Sequence, residues 1–269
     1  MTSPTPQHLM TDVLHWEARG SGRAVLLIAG TPGDGGQFDQ VVAPLARDHL
    51  VISYDRRGTS RSGRDADWNA TSVAEQADDA AQVLAAVGVS DAAVVFGTSN
   101  GALVALELAV RHPRRVAGLL LHEPPLLSVL DDPEPVTSAI GSVIGPAMDA
   151  GGPPAALEAF LRFAFGDRIV ESWTAGLRER MLSNAAMAFS VELPAFQSYR
   201  PDPATLAGCA RPARVLVGEQ QQLPFFAEAA RWLADALGTD VGSLPGAHGP
   251  QFSDSDALAA TIRDFAASV

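Results

Sequence analysis

The stretch Val94-Val95-Phe96-Gly97-Thr98-Ser99-Asn100-Gly101-Ala102 joins an apolar run to a helical pattern through Gly-x-Ser-x-Gly. Ala92 to Phe96 reads as a buried strand, and Asn100 to Arg111 as a helix stopped by Pro113. A strand that turns at once into a helix forces the turn residue into a strained backbone and lifts its side chain clear of the sheet. Side chains two residues to either side would collide there, and Gly97 and Gly101 have none. The helix start points its amides at the space beside the hydroxyl, where negative charge develops during acyl transfer. Ser99 is therefore read as a nucleophile, and the N–H of Asn100 as one oxyanion donor.

On both sides of this stretch, short apolar runs alternate with helical patterns. Val25 to Ala29, Leu50 to Tyr54, Val116 to Leu121, Arg214 to Val217 and Val241 to Leu244 read as strands. Phe38 to Arg47, Thr71 to Val87, Phe225 to Leu237 and Asp256 to Phe265 read as helices, the second capped by Thr71 or Ser72 with Glu75 in its first turn. The alternation predicts βαβ crossovers and a mostly parallel sheet flanked by helices. The strands are apolar throughout, as expected when both faces are covered. Ligands of such sheets bind at the carboxyl ends of the strands. From Leu126 to Gly208 no strand is evident. This stretch opens with Pro133 and Pro135, is divided by Gly151-Gly152-Pro153-Pro154, and shows helical patterns at 155–165 and 169–189. The expected organisation is a core formed by 1–125 and 209–269, with 126–208 as a helical lid.

Composition narrows the function classes. The formal charge of −12 over 269 residues disfavours nucleic acid and anionic membrane surfaces. No unbroken apolar run approaches the roughly 18 residues of a membrane span. Met1 to Met10 carries neither a basic cluster nor an apolar core, so a secretory signal is not expected. The single cysteine, Cys209, excludes an internal disulfide and a cysteine metal cluster. These features predict a cytoplasmic protein; a homo-oligomer is compatible with all of them.

Among the six histidines, His248 is placed best for catalysis. It follows a short strand, lies between Gly246 and Gly249, and precedes the last helix, so its loop can carry an imidazole over Ser99. The second oxyanion donor is expected at Thr31, after Gly30, because Pro32 has no N–H. For the acid that orients the imidazole, two residues stand at strand ends: Glu123 in Leu121-His122-Glu123-Pro124-Pro125 and Glu219 in Val217-Gly218-Glu219-Gln220-Gln221-Gln222. Glu123 follows its strand directly and is stiffened by two prolines. Trp173 is a candidate substrate contact among the apolar lid residues. Asp55 is read as fixing its own loop, and Arg56, Arg57 and Arg61 as surface residues.

The chain resembles the α/β-hydrolase family over nearly its whole length. The resemblance rests on Ala29-Gly30-Thr31-Pro32-Gly33, Tyr54-Asp55-Arg56-Arg57-Gly58-Thr59-Ser60-Arg61-Ser62, the Ser99 turn and Gly246-Ala247-His248-Gly249. Ala29 stands where the family commonly has a His, and Gln221 where many relatives carry the acid. The run His122-Glu123-Pro124-Pro125 is also similar to the His-Glu-x-Pro run of zearalenone lactone hydrolases, whose Glu is the acid of the triad. The resemblance implies an α/β-hydrolase fold and hydrolysis of a small apolar ester or lactone through an acyl-enzyme. The triad would be Ser99, His248 and Glu123, with no metal or organic cofactor. Alternatives on the same fold are a carbon–carbon bond hydrolase, an acyltransferase and a non-catalytic ligand receptor. Dehalogenases and epoxide hydrolases place Asp where Ser99 stands and are set aside.

Overall fold

The computed structural model describes residues 7–10, 13–209, 211–221 and 223–269. Among the described residues eight strands form one sheet: β1 (Gln7–Met10), β2 (His15–Gly20), β3 (Arg23–Ile28), β4 (His49–Tyr54), β5 (Ala93–Thr98), β6 (Val116–His122), β7 (Ala213–Gly218) and β8 (Val241–Leu244). Their order is β1-β2-β4-β3-β5-β6-β7-β8. Pairing is parallel from β4 to β8, and antiparallel between β1 and β2 and between β2 and β4.

The core helices are α1 (Asp39–Leu45), α2 (Val73–Ala86), α3 (Asn100–Arg111), α4 (Pro224–Leu237) and α5 (Ser255–Ser268). Successive strand residues point to opposite faces. Leu26, Ile28 and Val95 therefore join the core layer with residues of α2, α3 and α4, while Val25, Leu27, Val94 and Phe96 join the layer with residues of α1 and α5. Two covered faces are why β3 and β5 read as unbroken apolar runs. The edge strand β1 and its neighbour β2 escape such a reading. In β2, only Trp16 and Ala18 are buried, and polar residues alternate with them.

Between β6 and β7 the described chain is helical, with no strand. One helix runs from Glu134 to Phe165 and bends at Gly152, where φ is 69° and ψ −164°. The sequence reading places a helix only after this bend. Pro135 sits in the first turn, where a missing N–H leaves no bond unmade, so the segment before Gly152 is helical too. The expected helix over 169–189 is instead three pieces, broken after Ser172 and again around Asn184, and it passes into a π-helical turn at Ala188–Glu192. Leu157, Leu161, Val170, Trp173, Met181, Ala185 and Ala188 give the insertion a small core of its own.

Polar contacts tie the insertion to the loops at the carboxyl end of the sheet. Arg180 Nε donates to Asp34 Oδ2 at 2.7 Å, and Asn184 Nδ2 to the Pro32 carbonyl at 3.0 Å. Arg56 Nε and Nη2 donate to Glu192 at 2.9 and 2.8 Å. Arg56 is thus buried, contrary to the surface role expected for it, because Glu192 meets it from the insertion. Arg57 pairs with Asp79, and Arg61 with Asp55 and Glu17. Asp55 accepts the amides of Gly35 and Arg61 and so holds its loop, as expected. Among the described residues no helix is long and apolar enough to cross a membrane.

Candidate active site

Ser99 leaves β5 with φ 53° and ψ −131°, and α3 starts at the next residue. The left-handed backbone is costly for a residue with a Cβ, and here the two glycines make it feasible. A Cβ on Gly97 would overlap the Gly101 carbonyl, and one on Gly101 would overlap the Ile28 carbonyl. The Ser99 N–H is held by the His122 carbonyl at 2.9 Å. Thr31 and Asn100 line the same cavity as Ser99, and Asn100 is the first residue of α3. Asn100 Nδ2 donates to Thr31 Oγ1 at 2.8 Å and links the two loops.

Thr98 on β5 pairs with His122 on β6. Ser99 and Glu123 therefore leave neighbouring strands at the same level, and Glu123 also has positive φ, 46°. Its carboxylate is fully buried and satisfied. Oε1 accepts the Gly218 N–H at 2.8 Å; Oε2 accepts Gln221 Nε2 at 2.7 Å and His248 Nδ1 at 2.6 Å. Burial by itself raises the Glu123 carboxyl, but the bond from His248, the adjacent imidazoles and the Gly218 amide outweigh it and hold it at about 2. With Nδ1–H given to a carboxylate, the acceptor nitrogen of His248 is Nε2. The ring lies between Phe226, centroids 4.5 Å apart, and Phe165, at 5.4 Å, and it lines the cavity with Ser99.

Glu219 goes elsewhere. It is exposed, and its carboxylate accepts from Ser243 Oγ at 3.2 Å. Its neighbour Gln221, at the position where many relatives have the acid, supports Glu123 instead. Trp173 is not brought to the cavity either. The chain breaks after Ser172 and turns the indole into the core of the insertion, against Phe165 and Phe252. The cavity, about 250 Å³, is lined by Thr31, Ser99, Asn100, His248 and a largely apolar wall that includes Ile140, Ile144, Phe160, Phe189 and Phe196. Phe225 and Phe226, from the start of α4, complete it. Among the described residues no charged side chain lines it. Gln221, Phe226 and Ile144 were beyond sequence reasoning, although the Gly218-to-Gln221 spacing was a usable signal for the first.

His122, beside Glu123, is fully buried. Its Nδ1 lies 3.0 Å from Thr98 Oγ1, and its Nε2 is 3.8 Å from Glu123 Oε1 with no hydrogen bond. Desolvation pushes it down to about 4 against the pull of the Glu123 charge, so it is neutral at ordinary pH.

Sheet order, the Ser99 turn and the loop carrying His248 define an α/β-hydrolase fold. Residues 23–145 match the family described as "alpha/beta hydrolase fold". The chain is 41% identical over 117 residues to the uncharacterized hydrolase YraK of Bacillus subtilis, covering 44% of this chain and 43% of that protein. It is 33% identical over 180 residues to the putative carbamate hydrolase RutD of Variovorax paradoxus, covering 66% of this chain and 64% of the relative. The chain thus spans less than two thirds of the length of these curated relatives. Among solved structures, the enol-lactonase of Burkholderia xenovorans LB400 superposes with a TM-score of 0.77 at 21% identity, over 97% of this chain and 100% of that one.

Proposed function

We propose that the protein is a serine hydrolase of neutral, apolar carboxylic esters or lactones. The reading rests on one observation: Ser99, at a left-handed strand end, shares an apolar cavity with His248, whose Nδ1 is 2.6 Å from the Glu123 carboxylate. Ser99 Oγ attacks the substrate carbonyl while His248 Nε2 takes its proton. The carbonyl oxygen becomes an oxyanion, which the N–H groups of Thr31 and Asn100 stabilise. Glu123 holds the useful tautomer and stabilises the imidazolium. The intermediate expels the alcohol oxygen, protonated by His248, and leaves an acyl-serine. Water, deprotonated by the same imidazole, then releases the acid. In a lactone both products remain one molecule. No step calls for a cofactor.

The cavity wall supports the substrate class. A charged acyl group would lose its hydration without gaining a counter-ion. The residues at 126–208 act as a lid that supplies most of this wall. The His122-Glu123-Pro124-Pro125 run brings macrocyclic lactones such as zearalenone into the class to be tried.

The test is a panel of aryl esters, simple and macrocyclic lactones and aryl carbamates, run on wild type and Ser99→Ala with a fluorophosphonate label. Wild type should label at Ser99 and turn over neutral apolar esters or lactones. Ser99→Ala should lose about three orders of magnitude or more in kcat with its melting temperature kept. A folded wild type that takes no label and turns over nothing would make the protein a binding module. Preference for carbamates would move the substrate class and leave the machinery in place.

A further inference from the structure

Within the oxyanion loop a single backbone bond closes the turn, from the Gly33 N–H to the Gly30 carbonyl at 2.7 Å, and it leaves the Ala29 carbonyl and the Thr31 side chain to be fixed by other residues. Gly30 lacks a side chain, and a Cβ there would press on the Ser99 Cβ at 2.8 Å. The contacts on either side of the Thr31 N–H come from outside the loop. Arg56, 1% exposed, donates from Nη1 to the Ala29 carbonyl, the peptide before Gly30. Its Nη2 points at Thr31 Oγ1 from 3.4 Å, and Asn100 Nδ2 takes the same oxygen at 2.8 Å. The Thr31 N–H lies between these fixed points. Arg56 in turn is aimed by Glu192, which is 0% exposed and grips Nε and Nη2 with one oxygen each. A two-oxygen grip fixes the plane of a guanidinium as well as its place. Neither residue makes a hydrogen bond to Ser99, His248 or Glu123. A buried ion pair is weak support for stability, since apolar residues of equal volume serve as well or better. Aim is what the pair supplies that an apolar pair does not.

We propose that Glu192 is a positioning residue for the oxyanion donors, acting through Arg56. The proposal rests on the ester-hydrolase reading above. Glu192 belongs to the insertion, in the π-helical turn at Ala188–Glu192. Leu193 and Phe196, which follow it, line the cavity, and the Arg56 guanidinium carbon lies 5.3 Å from the Phe196 ring centroid. The segment that touches the ligand would thus also set the donors that receive its oxyanion.

The test uses the full chain with Arg56→Met/Glu192→Leu, which removes both charges at similar volume, and with Arg56→Lys. Lysine keeps a charge but lacks the planar fork that reaches Glu192 and Ala29 together. Readouts are kcat and KM for a neutral p-nitrophenyl ester, inhibition by a trifluoromethyl ketone that forms an oxyanion on Ser99, and the melting temperature. Both variants should lose about ten- to a hundredfold in kcat, with KM within about threefold. Affinity for the ketone should fall in step with kcat. A folded double variant with kcat and ketone affinity within about twofold of wild type would reduce the pair to an anchor of the insertion. If the double variant does not fold, full kcat in Arg56→Lys overturns the proposal equally. A wild type inert to ester and fluorophosphonate overturns the hydrolase reading, and this proposal with it.

Discussion

At the scale of the residue, Glu123 illustrates how one side chain is made to do one thing. Each oxygen has its donors, so the carboxylate stays ionised and pointed at His248 Nδ1 although it is wholly buried. Glu123→Gln keeps the shape but turns one oxygen into a donor that faces other donors. It is expected to lower kcat/KM at least about a hundredfold, whereas Glu219→Gln, exposed and bonded to Ser243, should cost less than about tenfold. Steady-state rates on two proteins of matched melting temperature decide this, and the reverse ranking would move the acid to Glu219. Sequence reasoning named both glutamates because each ends a strand. The position of Gln221, three residues after Gly218, marks it for a place near the site, but nothing in the sequence shows that it folds back onto Glu123 or that Phe165 and Phe226 flank the His248 ring. Such contacts join residues distant in the chain, and no local pattern encodes them. Trp173 shows the converse: an indole in an apolar stretch looks like a ligand contact until the break after Ser172 turns it inward.

At the scale of the element, the β5–α3 turn is legible because three requirements fall within five residues: two missing side chains and one strained backbone. Gly101→Ala places a methyl group on the Ile28 carbonyl, and strand β3 cannot withdraw from the middle of the sheet. Overpacking of this kind costs about 1–3 kcal/mol or more. The expected outcome is a melting temperature lower by roughly 2–10 °C and at least a tenfold loss of kcat, about the effect of misplacing a reacting group. Thermal melts and rates measured together check it, and an unshifted melt would mean that the turn has slack. Elements away from the centre were harder to read. β2 buries one face only, so its pattern is a short alternation diluted by charge. The segment before Gly152 begins with prolines that signal loop in isolation but are tolerated at a helix start.

At the scale of the whole molecule, acid should find a specific weak point. His122 titrates near 4 when folded, against 6.5 for a free imidazole, so the folded chain binds fewer protons than the unfolded one between those values. Its contribution is fully present above about pH 6.5 and is lost as pH falls toward 4. Glu123, held near 2 against 4.5, contributes above 4.5 and loses that contribution as pH falls through 2, so the two windows separate. Melting temperatures of wild type should decline from pH 6.5 to 4, and His122→Asn should flatten that limb by up to about 1.4 kcal/mol per pH unit. Parallel curves for the two proteins would remove His122 from the account. The Arg56–Glu192 pair has a consequence for heredity. Its members stand 136 residues apart in the chain, one in the core and one in the insertion. A chimera given another protein's insertion would acquire a new apolar wall and, with it, an orphaned guanidinium beneath that wall, a defect that costs about 3–5 kcal/mol. A transplant must therefore bring a carboxylate to position 192 or exchange Arg56 in the same step, so the two segments descend as a matched set.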